Sequence, residues 1–277
     1  MKPWMILAIV VSGLLLFSVF IAHWELVPSN AATGQPEGQR VPVVVELFTS
    51  EGCSSCPPAD AALTRLEQSQ PVPGAEVIAL GQHVDYWNDL GWADPFSSAA
   101  FSARQSAYAQ AFGRDGVYTP QMVVDGQIEF IGSDLSKARD AIARASRSPK
   151  ATVEITRAAR PSGSTTDVVP LLVRVGHLPA LSPGDLPEVL LAITEGNLRS
   201  SVSRGENAGH RLSHSAVVRE LRAVGRMDPA AAKDFSAETS VTIAGGWHRP
   251  HLRAVIFVQE RVSRRVLGAA AISLATE

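Results

Sequence analysis

The sequence predicts an α/β domain followed by a mostly β, sandwich-like C-terminal domain. Up to about residue 148, short β-branched runs alternate with stretches of helical periodicity, whereas the later residues carry apolar runs separated by Gly, Pro and Ser. Hydrophobic residues make up 45% of the 277 residues, which is enough for a buried core. The formal net charge is −2 and no basic block is present, so the composition gives no indication of a nucleic-acid partner.

The N-terminal segment predicts export from the cytoplasm. Residues 5–22 are apolar apart from two serines and a glycine. A run of about 18 apolar residues is at the lower limit for crossing a bilayer and also fits the core of a signal peptide. Residues 1–31 are therefore predicted to be a signal peptide or an uncleaved membrane anchor. Either alternative places the rest of the chain in the periplasm or outside the cell, with membrane contact only through this segment.

The α/β domain is predicted for residues 41–148, with elements in the order β-α-β-α-β-β-α. A linker rich in small and polar residues, 32–40, precedes it. The sequence Asp125-Gly126 between two short apolar runs is a strong hairpin signal. The predicted elements are a strand at 41–49, a helix from Pro57, a strand at 76–81, a helix at 97–112, strands at 121–124 and 127–131, and a helix at 134–147.

The C-terminal domain is predicted for residues 149–277. In five of its segments, apolar and polar residues alternate or the residues are continuously apolar, and turn-forming residues separate these segments. This pattern is typical of a compact β domain. They are 151–158, 168–175, 188–194, 240–245 and 252–260. This domain is expected to recruit a partner or to cover a site on the first domain.

Cys53 and Cys56 are the only two cysteines of the chain. A pair this close cannot close a long loop, which leaves a redox pair, a metal half-site or an inert disulfide. Thiol exchange needs a thiolate, and a helix beginning just after Cys53 directs backbone N–H groups and the positive end of its dipole at the sulfur. The order strand, CxxC, helix favours the redox pair. Cys53 is then the attacking thiolate and Cys56, one turn further, the resolving thiol.

Several longer motifs give the chain a family resemblance. They are VVELFTSEGCSSCPPAD (44–60), HVDYWNDLGWADPF (83–96), ARQ-x-AYA (103–109), VYTPQMVVDG (117–126) and SRGENAG-x-x-LSH (203–214). With these motifs the sequence resembles a family of secreted, thioredoxin-like proteins catalogued as domain of unknown function 1223. The resemblance implies a thioredoxin-like α/β domain with a helical insertion and an exported protein, but no particular reaction.

The resemblance to the thioredoxin superfamily also implies site residues. Members carry a cis-proline before a strand-turn-strand, where it faces the dithiol and pairs with the substrate backbone. Thr119 and Pro120 stand at this place, and a cis bond there is a specific prediction because only about 5–6% of X–Pro bonds in folded proteins are cis. Glu46 resembles the buried acid on the strand before the dithiol and is a candidate for proton transfer. His83, after the second strand, is another.

Thiol–disulfide exchange is therefore the predicted function, with protein thiols or disulfides or another redox protein as partners and without a cofactor. The main alternative is a non-catalytic Cu(I)-binding or chaperone module, because soft thiolates suit Cu(I). Its ligands would be Cys53, Cys56, His83 and Met122. A scaffold protein with a vestigial dithiol is the third hypothesis.

Two polar segments of the C-terminal half allow two interpretations each. Residues 204–210 with His214 are interpreted as a hydrogen-bonded loop, with ligand binding as the alternative. Residues 247–251 are interpreted as an exposed turn, and their two histidines could instead bind a metal. Tyr86, Trp87 and Trp92 are expected to pack an insertion onto the sheet.

Overall fold

Thirteen strands and three α-helices form the residues described by this computed structural model, which are 40–159, 167–228, 230 and 234–275. The strands are Val41–Thr49 (β1), Ala75–His83 (β2), Gln121–Val124 (β3), Ile128–Ile131 (β4), Thr152–Arg157 (β5), Val168–Gly176 (β6), Pro187–Glu195 (β7), Leu198–Ser201 (β8), Arg211–His214 (β9), Val217–Arg226 (β10), Phe235–Thr242 (β11), Leu252–Glu260 (β12) and Val266–Ser273 (β13). The α-helices are Pro57–Ser69 (α1), Ala99–Ala111 (α2) and Leu135–Ala145 (α3), and Asn88–Leu90 and Arg249–His251 are short 3-10 helices.

One mixed eight-stranded sheet contains strands from both halves of the sequence, in the order β13-β12-β7-β10-β2-β1-β3-β4. β2 pairs with β1 in parallel over nine residues, and its other edge meets β10, where Val217 is opposite Gly81. The predicted fold class, an α/β thioredoxin-like domain followed by a sandwich-like β domain, is therefore wrong. The structure is mostly β, and the described residues form one compact unit.

Gly81 allows the two halves of the sheet to join. Its N–H group donates to the carbonyl oxygen of Ala216 at 2.7 Å. A Cβ atom at this position would lie 3.3 Å from the carbonyl oxygen of Ser215 and 3.4 Å from that of Ala216. Any other residue would force these strands slightly apart, so glycine here is explained by close backbone approach.

Apolar side chains fill both faces of the sheet. On one face of β1–β4, α1 and α3 bury Leu63, Leu66 and Ile142 against Leu47 and Met122. On the other face α2 packs Phe101 and Tyr108 against the sheet. Strands β5, β6 and β11 form a separate three-stranded sheet that packs on β7, β12 and β13.

The described helices include none that is both long and apolar enough to cross a bilayer. The predicted leader, residues 1–31, and the predicted linker up to residue 39 lie outside the described residues. Whether the leader is a signal peptide or an anchor stays a prediction.

A buried ion pair ties α2 to the sheet. Arg104 donates through Nε to Glu46 Oε2 at 2.6 Å and through Nη2 to Glu46 Oε1 at 2.9 Å. Tyr108 and Gln82 also donate to this carboxylate, and Arg104 Nη2 reaches Gln259 Oε1 on β12 at 3.0 Å. Burial raises the pKa of Glu46, but the charge and hydrogen bonds of Arg104 outweigh it and lower this pKa below its ordinary value.

Replacing Arg104 with methionine is expected to lower the free energy of unfolding by about 3–5 kcal/mol, because it leaves the Glu46 carboxylate buried without its cation. Urea unfolding of the purified protein measures the change. Arg226→Met is the matched control, since Arg226 makes an exposed pair with Glu188 at 3.4 Å and such pairs contribute below about 1 kcal/mol. Equal losses in the two variants would contradict the role given to Arg104.

Candidate active site around Cys53 and Cys56

The two cysteines form a disulfide at the turn between β1 and α1, and their Cα atoms are 5.4 Å apart. Cys56 is the N-cap of α1, and its carbonyl oxygen accepts the N–H groups of Ala59 at 2.8 Å and Asp60 at 3.1 Å. Ser54 and Ser55 between them are exposed, whereas both cysteines are 0% exposed. The CxxC pair therefore begins a helix, as expected for a reactive dithiol, but its sulfur atoms are closed to solvent.

The bond between Thr119 and Pro120 is cis, immediately before β3. Trp87 connects this turn with the dithiol turn. Its indole N–H donates to the Thr119 hydroxyl at 2.8 Å. On the other side, its Cβ lies 3.1 Å from the place that a Cβ on Gly52 would occupy. Trp87 thus fills the space between the predicted substrate-positioning residues and the residue before Cys53.

Gly132 brings the cis-proline close to the first turn of α1. Its N–H group donates to the Pro120 carbonyl oxygen at 3.0 Å. A Cβ on Gly132 would lie 3.0 Å from the Cβ of Ala59 and 3.4 Å from that of Pro120. Pro120 and the first turn of α1 therefore both lie against Gly132.

A loop from the C-terminal half lies against the dithiol turn. We call residues 202–210, between β8 and β9, the cover loop. The side-chain amide of Asn207 donates to the carbonyl oxygens of Glu51 at 2.8 Å and Cys53 at 3.0 Å. Glu206 Oε2 accepts the N–H group of Ser54 at 2.9 Å. From the sequence alone, this loop allowed a structural or a ligand-binding interpretation, and these contacts place it at the dithiol.

Two histidines and three carboxyl groups form a buried polar cluster behind the dithiol. Its members, each under 10% exposed, are Glu51, Asp60, His83, Asp94 and His214. Two hydrogen bonds join its acids to its histidines: His214 Nε2 is 3.1 Å from Glu51 Oε1, and His83 Nδ1 is 2.7 Å from Asp94 Oδ2. The two imidazole ring centroids are 4.8 Å apart.

Within this cluster, the pKa values of Asp60 and Asp94 are shifted in opposite directions. Burial raises its pKa from an ordinary value of 3.8 to about 7, against the charge of His214, which lowers it. His214 Nδ1 lies 3.8 Å away from Asp60 Oδ2 and has no hydrogen-bond partner within the described part of the chain. For Asp94 burial also raises the pKa, but the charge and hydrogen bond of His83 lower it below the ordinary value. Asp60 can therefore take up or release a proton near neutral pH.

Sequence motifs alone did not indicate Glu51 or Asp60, and they placed His214 with the 204–210 loop and not with the dithiol. A signal for Asp60 was present, because this acid lies beside the apolar stripe of α1 instead of on its solvent face. Among the residues that were predicted, His83 belongs to the cluster. Glu46 is held by Arg104, and its proton-transfer role stays a prediction.

The four residues named as Cu(I) ligands have other partners in the structure. The two cysteines form a disulfide with each other, and His83 is hydrogen-bonded to Asp94. Met122 is fully buried among apolar side chains. Within the described ranges, no group of three or more His, Cys, Asp or Glu side chains is arranged to hold a metal ion. The histidines of the 247–251 turn contact Glu195 and Asn197.

Residues 44–259 match a family model described as "Protein of unknown function (DUF1223)". The chain belongs to this family. The resemblance inferred from the motifs is thereby confirmed at the level of the family, and the match spans both halves of the eight-stranded sheet. The dithiol, the cis-proline and the cover loop of this DUF1223 protein all lie within the matched residues.

Two solved structures resemble the chain over most of its length. A protein from Agrobacterium tumefaciens is 28% identical, with a TM-score of 0.65 over 86% of this chain and 96% of that chain. HBP35 of Porphyromonas gingivalis is 17% identical, with a TM-score of 0.59 over 86% of this chain and 79% of that chain, and is similar in fold. No curated protein matches this DUF1223 chain significantly.

Proposed function

We propose that this protein is an exported thiol–disulfide oxidoreductase with Cys53 and Cys56 as its reactive groups. Protein thiols or disulfides, or another redox protein, would be its partners. The observation that carries the proposal is the Cys53–Cys56 disulfide at the N-terminus of α1. The cis bond at Pro120, immediately before the strand β3 that pairs with β1, supports it. Export rests on the apolar segment 5–22.

Each cysteine has its own step in the proposed exchange. The Cys53 thiolate attacks a partner disulfide, forms a mixed disulfide and releases one partner sulfur as a thiolate. Cys56 then loses its proton and attacks the Cys53 sulfur, which releases the second partner thiolate and restores the Cys53–Cys56 disulfide. The partner gains two electrons and the protein loses two. The same steps in reverse oxidise a partner dithiol.

Asp60 is the group we assign to accept the Cys56 proton. It follows Cys56 by one helical turn, and its N–H group is bonded to the Cys56 carbonyl oxygen at 3.1 Å. A proton acceptor works best when its pKa is near the operating pH, and the pKa of Asp60 is about 7. The pKa of Glu46, in contrast, is lowered by Arg104.

Catalysed reduction of insulin disulfides by dithiothreitol tests the proposal. The mature protein is expected to accelerate precipitation of the insulin B chain well above the rate with dithiothreitol alone. Protein that has been reduced and then alkylated at both cysteines is the control and is expected to match the uncatalysed rate. If the unmodified protein also matched the uncatalysed rate, while its disulfide was reduced under the same conditions, the proposed function would be wrong.

A further inference from the structure

The cover loop brings a negative charge to the residue that follows Cys53. Glu206 is exposed, and its carboxylate accepts the Ser54 N–H group at 2.9 Å. The N–H and hydroxyl groups of Ser54 lower the pKa of Glu206, so the side chain is ionised at neutral pH. Asn207 fixes the loop beside it, because its amide bridges the carbonyl oxygens of Glu51 and Cys53.

This position matters for the Cys53 sulfur. A thiolate before a helix is stabilised by nearby backbone N–H groups and by the positive end of the helix dipole. In this structure the N–H group of Ser54 is already bonded to a carboxylate. A second negative charge close by opposes ionisation of the thiol. The Ser55 hydroxyl lies 3.3 Å from Cys53 Sγ.

We propose that Glu206 lowers the reduction potential of the dithiol. Its carboxylate occupies the Ser54 N–H group and disfavours the Cys53 thiolate. The disulfide is then favoured, which makes the reduced protein an electron donor. The inference rests on the proposed function at Cys53 and Cys56 and gives it a direction. Reduced protein passes two electrons to a partner disulfide, which becomes two thiols as its thiolates take up protons from water. An external dithiol donor then reduces the Cys53–Cys56 disulfide again.

The substitution Glu206→Gln tests this inference. A glutamine oxygen can still accept a hydrogen bond from the Ser54 N–H group. The variant therefore removes the charge and keeps the hydrogen bond between the cover loop and Ser54. Glu238→Gln is the matched control, because Glu238 is exposed on β11 in the other sheet. The reduction potential is measured by equilibration with dithiothreitol redox buffers, and the pKa of Cys53 by its ultraviolet thiolate absorbance in reduced protein.

We expect Glu206→Gln to lower the pKa of Cys53 by about one unit. At a pH above the pKa of Cys53 in both proteins, this shifts the disulfide–dithiol equilibrium about tenfold towards the dithiol, which corresponds to about +30 mV. Glu238→Gln should change neither value. If Glu206→Gln shifted the potential no more than Glu238→Gln does, or shifted it downwards, the inference would be overturned. The potential is measured without a protein substrate, so an upward shift in a protein without insulin-reducing activity would support the role of Glu206 and contradict only the proposed function.

Discussion

Replacing Cys53 with serine is expected to abolish catalysed insulin reduction, because no thiolate remains to attack the partner disulfide. Replacing Cys56 with serine is expected to leave that attack intact and to block the release step. The Cys56→Ser variant should therefore accumulate a mixed disulfide between Cys53 and the partner. Non-reducing electrophoresis and intact-mass spectrometry detect this covalent complex, which should be absent from Cys53→Ser.

The two serine variants are matched controls for each other. Each loses the same disulfide, and closing so short a loop contributes on the order of 2 kcal/mol in the chain-entropy model. Both serines also replace side chains that are 0% exposed. A difference in trapping thus reports chemistry and not stability, provided that circular dichroism shows both variants folded. Trapping by Cys53→Ser alone would reverse the assigned roles, and insulin reduction by both variants at the rate of the unmodified protein would refute thiol exchange at this pair.

Local sequence patterns predicted the elements around the dithiol. The strand predicted at 41–49 and the strand at 121–124 have the observed bounds of β1 and β3. Both are short β-branched runs between turn-forming residues, and such signals lie within the segment itself. The helix predicted at 97–112 is observed at Ala99–Ala111.

Those local patterns could not predict how the strands pair across the sheet. β2 was predicted as a strand at 76–81, but its apolar run is compatible with any neighbour on its free edge. Its partner there, β10, follows more than a hundred residues later. Without that pairing, the change in sequence pattern near residue 150 indicated a domain boundary. In the structure, one sheet contains strands from both sides of this position.

The same distinction between local motifs and long-range contacts applies to the candidate site. The CxxC turn and the cis-proline are contiguous motifs, so the sequence could point to them. The contact between His214 and Glu51 spans 163 residues, and that between Asn207 and Cys53 spans 154. Glu46, an acid on the strand before the dithiol, was predicted to transfer a proton, and that role stays a prediction. Its buried ion pair with Arg104, 58 residues further on, was not indicated by the local pattern.

Asp60 is expected to make the folded protein less stable as pH rises from about 4 to about 7. Its carboxyl group has a pKa of about 7 in the fold and an ordinary value of 3.8, so between these values the folded chain holds a proton that the unfolded chain has released. The stabilisation is fully present below pH 3.8 and is lost as pH rises through 7. A difference of about three units corresponds to on the order of 4 kcal/mol.

Asp60→Asn should remove this dependence, because asparagine has the shape of the neutral acid and does not ionise. The variant is expected to match the unmodified protein near pH 4 and to exceed its free energy of unfolding above pH 7, measured by urea unfolding across pH. The charged groups of His214, Glu51 and Asp94 face Asp60 in both proteins, so the comparison is the difference between the two slopes. Asp140→Asn, at an exposed site on α3, should leave the slope unchanged.

The same variant tests the assignment of Asp60 to the Cys56 proton. Asparagine cannot accept that proton, so the release of a mixed disulfide should slow in single-turnover experiments near neutral pH, while its formation by Cys53 stays unchanged. A lesion that only loosened the fold would slow both steps. If Asp60→Asn changed the pH dependence of stability but neither rate, Asp60 would be a buried acid without a part in exchange, and the proton of Cys56 would leave by another route.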